Sequence, residues 1–107
     1  MDIAGFQKRI EEIYYRKDAA RGPEATFRWF VEEVGELARA QRKGCEENLR
    51  EEFADCLAWL STLASLYGVS LEDAALARYG AGCPYCRAVP CSCAEPRPAF
   101  GARGDGP

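Results

Sequence analysis

Apolar residues recur at helical spacing in four successive segments of this 107-residue chain. None of these segments alternates between apolar and polar residues as a half-buried strand does. Because short connections join the segments, we predict an all-α fold, an antiparallel four-helix bundle-like domain. The four predicted helices cover residues 2–17, Pro23 to Gly44, Asn48 to Gly68, and Ser70 to about Tyr79.

The ends of these helices carry recognisable signals. Asp2 is placed as an N-cap, and Pro23 suits the first turn of a helix. Asn48, with Glu51 three residues later, resembles a capping box. We therefore predict that residues 18–22 form the first connection.

The composition changes near Gly80, since five of the six prolines and four of the six cysteines follow it. We predict a helical domain at residues 1–80, an irregular cysteine-rich knuckle at residues 81–93, and a disordered tail at residues 94–107. A core of this size is only marginally stable. We therefore expect a dimer, a tetramer or a structural metal ion to stabilise the protein.

Charge and composition exclude several functional classes. The net charge is −3 and the isoelectric point is about 5.0, so we expect no nucleic-acid polymer as a partner. No apolar run approaches the roughly 18 residues of a membrane span, and the N-terminus lacks a signal peptide, which predicts a cytoplasmic protein without a membrane partner. Histidine is absent, which excludes a Ser/His/Asp triad and the HExxH motif.

Two acidic pairs lie on the second and third predicted helices. Glu33 and Glu36 are three residues apart, as are Glu52 and Asp55, so each pair shares one helix face. Four carboxylates brought together repel one another unless a cation lies between them. An all-oxygen ligand set favours Mg²⁺, with Mn²⁺ as an alternative.

Both tryptophans of the chain flank these pairs. Trp29 lies one turn before Glu33, and Trp59 lies one turn after Asp55 on the same face. Core packing would explain both side chains. The other interpretation is an aromatic wall on which a nucleobase stacks.

These residues also carry a resemblance to a known family. The segments FVEEVGELARA and LREEFADCLAWLSTLASLYGVSLEDAA, within about residues 24–78, resemble the MazG-like branch of the all-α nucleoside triphosphate pyrophosphohydrolases. The family signature is EExxE followed by ExxD. The resemblance implies a helical dimer or dimer of dimers that hydrolyses an NTP or dNTP to the monophosphate and pyrophosphate, with a housecleaning role in the nucleotide pool.

The resemblance also assigns residues. Glu33, Glu36, Glu52 and Asp55 correspond to the family's Mg²⁺ ligands. Glu32, beside them, is a candidate for the general base, with Glu36 or an unliganded Glu52 as alternatives.

One departure from the family pattern concerns substrate binding. Members commonly place a lysine or asparagine after the ExxD motif, and this chain has neither after Asp55. Arg78 is the nearest cationic candidate for substrate binding, although a surface salt bridge would also explain it. The alternative function is therefore a non-catalytic nucleotide- or protein-binding module of the same fold, with a zinc-stabilised interaction tail.

The knuckle contains a CxxC and a CxC motif separated by four residues. Four thiolates within eleven residues can enclose a tetrahedral Zn²⁺, and such a closed site would be structural. A redox-active dithiol and unliganded reduced cysteines are the alternatives. The four cysteines are Cys83, Cys86, Cys91 and Cys93.

Overall fold

The computed structural model describes residues 1–94, and it contains four helices and no strand within that range. The predicted all-α fold is therefore confirmed for the described part of the chain. The predicted tail, apart from Ala94, lies outside the described residues. The helices are α1 (Ile3–Arg21), α2 (Pro23–Lys43), α3 (Glu46–Leu66) and α4 (Leu71–Tyr79).

Helix α1 begins as predicted but ends later. The Asp2 side chain accepts a hydrogen bond from the backbone N–H of Gly5, 2.7 Å away, which confirms the N-cap. The predicted connection at residues 18–22 is wrong because the helix continues to Arg21. Asp18 stays helical while its side chain pairs with Arg21. The break falls at Gly22, whose φ of 86° is accessible to glycine and which precedes Pro23.

The ends of α2 match the prediction, whereas α3 begins earlier than predicted. Pro23 occupies the first position of α2, and Gly44 ends the helix with a left-handed φ of 75°. The predicted capping box at Asn48 is wrong, since α3 begins at Glu46 after Cys45. Glu46 lies in the first turn, where a negative charge is favourable, and pairs with Arg50.

Helices α2 and α3 form the closest pair and run antiparallel. Trp29 meets Trp59 at one end, and Gln41 and Leu49 line the same groove at the other end. Helix α1 packs mainly against α3. The antiparallel pairing brings the middle of α2, where the first acidic motif lies, against the first half of α3.

The buried interior of the described residues is small and partly polar. Its buried apolar residues are Ile10, Ala40 and Ala64. Polar groups complete it, and several of them are hydrogen-bonded between helices: Gln7 of α1 donates to the Ser65 hydroxyl at 3.0 Å. Many large apolar side chains of α2 and α3 remain exposed. The helical packing of this chain thus leaves apolar surface uncovered.

The chain divides into two compact units, Met1–Glu72 and Asp73–Pro107. The first unit contains α1, α2 and α3, and the second contains most of α4 and the cysteine-rich knuckle. Among the described residues no single helix is long and apolar enough to cross a membrane. The bent pair Glu46–Leu66 and Leu71–Tyr79 meets that test only when its two helices are taken together, and only by length and composition.

Candidate active site

Three carboxylates from α2 and α3 converge in the first unit. Glu33 projects from α2, and Glu52 and Asp55 project from α3 at a spacing that places both on one face. One oxygen of each side chain lies within 4.8 Å of one oxygen of the other two. Glu33 and Glu52 are half-buried, and Asp55 is exposed. We call these three residues the acidic group.

The acidic group lacks internal compensation for its charge. Glu33 Oε2 and Glu52 Oε1 are buried and have no hydrogen-bond partner. Burial raises the pKa of the Glu33 carboxyl above its ordinary value of 4.5, and the charges of Asp55 and Glu52 raise it further. Buried carboxylate oxygens without donors are costly unless a cation satisfies them. The all-oxygen donor set fits a hard divalent cation such as Mg²⁺.

The structure does not place Glu36 and Glu32 within the acidic group. Glu36 instead forms an ion pair with Arg39, with 3.0 Å between its Oε1 and the guanidinium Nη1. It remains near enough for its charge to raise the pKa of Glu33. Glu32 is exposed and lines a shallow cleft on α2 together with Arg28 and Val31. The metal-binding role of Glu36 and the catalytic role of Glu32 stay predictions.

A cavity of about 230 Å³ opens beside Asp55. Helix α1 supplies more than half of its lining residues, including two cationic side chains that the sequence interpretation did not select. Their i, i+4 spacing places Lys17 and Arg21 on one face of α1, and it could have indicated them only with a predicted helix that reached Arg21. The full lining is Ile10, Tyr14, Lys17, Asp18, Arg21, Asp55, Ala58, Trp59 and Thr62.

A buried polar network fixes the wall of this cavity. The carboxylate of Asp18, which is 5% exposed, accepts hydrogen bonds from the Thr62 hydroxyl at 2.9 Å and from Arg21 at 3.0 Å. Arg21 also donates to the hydroxyl of the fully buried Thr26 at 3.1 Å. Because the network joins α1, α2 and α3, it holds the Arg21 guanidinium 4.8 Å from the centre of the Trp59 ring.

The two tryptophans stack on each other next to this network. Their ring centres are 5.9 Å apart and their planes differ by 15°. Trp59 lines the cavity, whereas Trp29 is half exposed. The structure therefore brings together the two aromatic side chains that the sequence placed beside the carboxylates, and their contact with a nucleobase stays a prediction.

Cys56 lies near the acidic group but is not suited to act as a ligand. Burial raises the pKa of its thiol, and the charges of Glu33 and Glu52 raise it further. Only the deprotonated thiolate is a good nucleophile or metal ligand. Cys56 therefore remains a protonated thiol beside the carboxylates.

Arg78 belongs to the second unit and contacts Tyr85. Its Nη2 lies 3.1 Å from the Tyr85 hydroxyl, and its guanidinium lies 5.5 Å from the centre of that ring. The predicted role of Arg78 in substrate binding is not tested by these contacts and stays a prediction.

The second unit contains a group of four cysteines, which we call the cysteine group. Each of them has its sulfur within 4.8 Å of the other three, and all are free of disulfides. The hydroxyl and the backbone N–H of Ser92 lower the pKa of Cys86, whereas the sulfurs of Cys91 and Cys83 raise the pKa of Cys93. The members are Cys83, Cys86, Cys91 and Cys93.

Comparisons with known proteins identify the family of this chain. The model of the MazG nucleotide pyrophosphohydrolase domain matches residues 21–80, which include the whole acidic group. The chain is also similar to the uncharacterized protein YvdC of Bacillus subtilis (strain 168), with 32% identity over 90 residues, covering 68% of this chain and 85% of that protein. This all-α chain, whose acidic group lies between two antiparallel helices, belongs to the MazG nucleotide pyrophosphohydrolase family.

Proposed function

We propose that this protein is a Mg²⁺-dependent nucleoside triphosphate pyrophosphohydrolase. It converts an NTP or dNTP to the nucleoside monophosphate and pyrophosphate. The observation that carries the proposal is the pair of buried, unpartnered oxygens on Glu33 and Glu52 beside Asp55, within a family defined by this type of hydrolysis. Glu33, Glu52 and Asp55 would hold the metal, and Mn²⁺ is an alternative to Mg²⁺.

The bound metal would supply positive charge against the triphosphate and lower the pKa of water. The chain itself contributes orientation. Lys17 and Arg21 provide cations on the wall of the cavity that Asp55 borders, which suits them to contact phosphate oxygens. They come from α1, so they offer positive charge in place of the lysine or asparagine that the sequence lacks after the second acidic motif.

The cavity is suited to one part of the nucleotide. Its volume of about 230 Å³ is below the roughly 300–1,000 Å³ typical of cavities that enclose a whole ligand. Tyr14 and Trp59 line it and offer aromatic surface to a base. We therefore place the base in the cavity and the triphosphate towards Asp55.

Hydrolysis requires a proton acceptor for the attacking water. The water oxygen forms a bond to the α-phosphorus, its proton passes to a carboxylate, and the bond to the departing pyrophosphate breaks. Glu32 is our candidate acceptor, with Glu36 or an unliganded Glu52 as alternatives.

We also propose that the protein is a dimer or a tetramer. Exposed apolar side chains follow the same i, i+4, i+7 spacing on both helices of the central pair, and two of them, Val34 and Phe53, line a shared groove. Surfaces of this kind mark interfaces. A Leu57→Lys substitution should therefore lower the mass measured by light scattering, and a monomeric wild type would contradict the proposal. The exposed residues are Phe27, Val31, Val34, Phe53, Leu57 and Leu60.

Pyrophosphate release from a panel of NTPs and dNTPs tests the proposed activity. The purified protein should release pyrophosphate from at least one nucleotide with Mg²⁺ or Mn²⁺, and EDTA should abolish the release. Absence of turnover with every nucleotide and both metals would refute it. We place the protein in the cytoplasm as part of the same proposal, because its proposed substrates are cytoplasmic metabolites.

The absence of lysine and asparagine after Asp55 favours a second candidate function. In that case the acidic group binds a metal-nucleotide complex without cleaving it, and the protein is a binding module. The same panel separates the two functions when nucleotide binding is measured in parallel by calorimetry. Binding without pyrophosphate release would identify the binding module.

A further inference from the structure

We propose that the cysteine group binds one structural Zn²⁺ ion through all four sulfurs. The group lies beyond residues 21–80, the segment that the family model matches. The inference therefore does not depend on the proposed hydrolase activity.

The separations between the sulfur atoms fit a tetrahedral zinc site. The observed distances are 3.7 Å for Cys83 to Cys93, 3.6 Å for Cys91 to Cys83, and 3.9 Å for Cys86 to Cys91. Four sulfurs at the Zn–S distance of about 2.3 Å form a tetrahedron with edges of about 3.8 Å. A disulfide requires about 2.05 Å between the two sulfurs. The arrangement matches metal ligation and not a pair of disulfides.

Backbone donors point at the sulfurs. The N–H of Ser92 donates to Cys86 Sγ at 3.2 Å, and the N–H of Cys93 donates to Cys91 Sγ at 3.4 Å. Four thiols lose four protons when Zn²⁺ binds, which leaves a site with a net charge of −2. N–H groups aimed at the sulfurs stabilise that negative charge.

The backbone of the knuckle is folded tightly around the sulfurs. The N–H of Arg87 donates to the carbonyl of Cys83 at 2.7 Å, and the N–H of Cys83 donates to the carbonyl of Ala88 at 3.1 Å. Arg87 adopts a left-handed φ of 65°, which is uncommon outside glycine. At Gly82, with φ of 124°, a Cβ would lie 2.7 Å from the Arg87 carbonyl oxygen, so only glycine fits.

This tight fold has no buried core. Residues 80–94 contain no helix or strand, and none of them is buried. A segment without a core folds stably when a metal supplies the binding free energy. Because four protein ligands complete the tetrahedron, the ion has no open position for a substrate, so its role is structural.

Metal analysis of the full chain, purified without chelator, tests the site. We expect about one zinc per chain in the wild type. The variant Cys86→Ser should lose most of that zinc, while Cys45→Ser, an exposed cysteine outside the group, should retain it. Replacement of zinc by Co²⁺ should produce the absorption bands of tetrahedral cobalt thiolate in the wild type and in Cys45→Ser only. Far-UV circular dichroism of Cys86→Ser should show the helices retained.

Four outcomes would overturn the proposal. The first is a folded wild type without metal, and the second is equal zinc content in Cys86→Ser and Cys45→Ser. The third is a mass that shows two disulfides among the four cysteines. The fourth is stoichiometric iron in place of zinc, since iron also accepts four thiolates.

Discussion

The acidic group and the cysteine group are both clusters of metal-ligating atoms, but they are built in opposite ways. The acidic group draws Glu33 and Glu52 from different helices, nineteen positions apart, and depends on the pairing of α2 with α3. The cysteine group lies within eleven consecutive residues and depends on turns. A cluster on paired helices can be rigid without a metal, whereas a cluster on a coreless loop depends on its metal for structure.

We also expect metal binding to affect the two groups differently. A metal that binds the cysteine group displaces the protons that remain on its thiols. In the acidic group, burial and the nearby charges of Asp55 and Glu52 raise the pKa of Glu33, and the carboxylates of the group repel one another. We therefore expect a metal to relieve repulsion at the first site and to create a fold at the second.

The largest expected effect is on pyrophosphate release, and it should depend on the acidic group and not on the cysteine group. Glu52→Gln should reduce pyrophosphate release by about 100-fold or more, because it removes a charged metal ligand while keeping the shape of the side chain. The variant should retain its zinc, since the cysteine group is unchanged. Glu51→Gln, the exposed neighbour outside the acidic group, is the matched control and should keep wild-type turnover. Equal turnover of both variants would remove the acidic group from the mechanism.

The next effect concerns the cations beside the acidic group. Lys17→Ala should raise KM for the nucleotide by about 10-fold, the loss expected for one charge-assisted hydrogen bond to phosphate. Lys17 suits this test better than Arg21, which is bonded to Asp18 and Thr26. Lys43→Ala, at the end of α2 and outside the cavity, is the control. An unchanged KM in Lys17→Ala would contradict the proposed phosphate contact.

A smaller effect is expected at Glu36, where the family resemblance and the geometry differ. The resemblance assigns it to the metal, whereas the structure pairs it with Arg39 outside the acidic group. Glu36→Gln should therefore reduce turnover by less than about 10-fold, as expected for a residue that acts through its neighbours. A loss as large as that of Glu52→Gln would show that Glu36 joins the ligands when the metal binds.

The smallest effect is on stability. The pKa of Glu33 is raised in the folded protein, so the folded state holds this proton more tightly than the unfolded state. The contribution of Glu33 to the free energy of unfolding is present below pH 4.5. It is lost as the pH rises from 4.5 through the raised pKa. At pH 7 and without metal, Glu33→Gln should melt about 2–5 °C higher than wild type.

Differential scanning fluorimetry at several pH values checks this prediction. In the wild type, Mg²⁺ should raise the melting temperature at pH 7, and in Glu33→Gln it should raise it less. A metal-free variant that melts below wild type at pH 7 would contradict the account of repulsion in the acidic group.

The difference between the two groups also explains what could be predicted from the sequence. The four cysteines could be selected together because their spacing is local. Helical spacing could pair the carboxylates only within each helix. Glu36 lies three residues after Glu33, a spacing that suits a second metal ligand on the same face. Its pairing with Arg39, three residues away on the same helix, competes with metal binding and is not distinguished by the acidic pattern.

The wall of the cavity could not be predicted because it depends on tertiary packing. In the sequence-based prediction, Asp18 lies in the connection at residues 18–22, between the first helix and Pro23. In the structure its bond to Thr62, forty-four residues away, keeps it buried and helical. Arg21 reaches the cavity because α1 extends beyond residue 17, where the predicted helix ends. Local propensity was overridden here by a buried polar network.

The most direct test of the central claim is anomalous diffraction from a crystal of the full chain grown with Mn²⁺ and a non-hydrolysable nucleotide. The account predicts a manganese peak among the carboxylate oxygens of Glu33, Glu52 and Asp55. It predicts a separate zinc peak at the cysteine group. A fully occupied nucleotide with no manganese at the acidic group would contradict it.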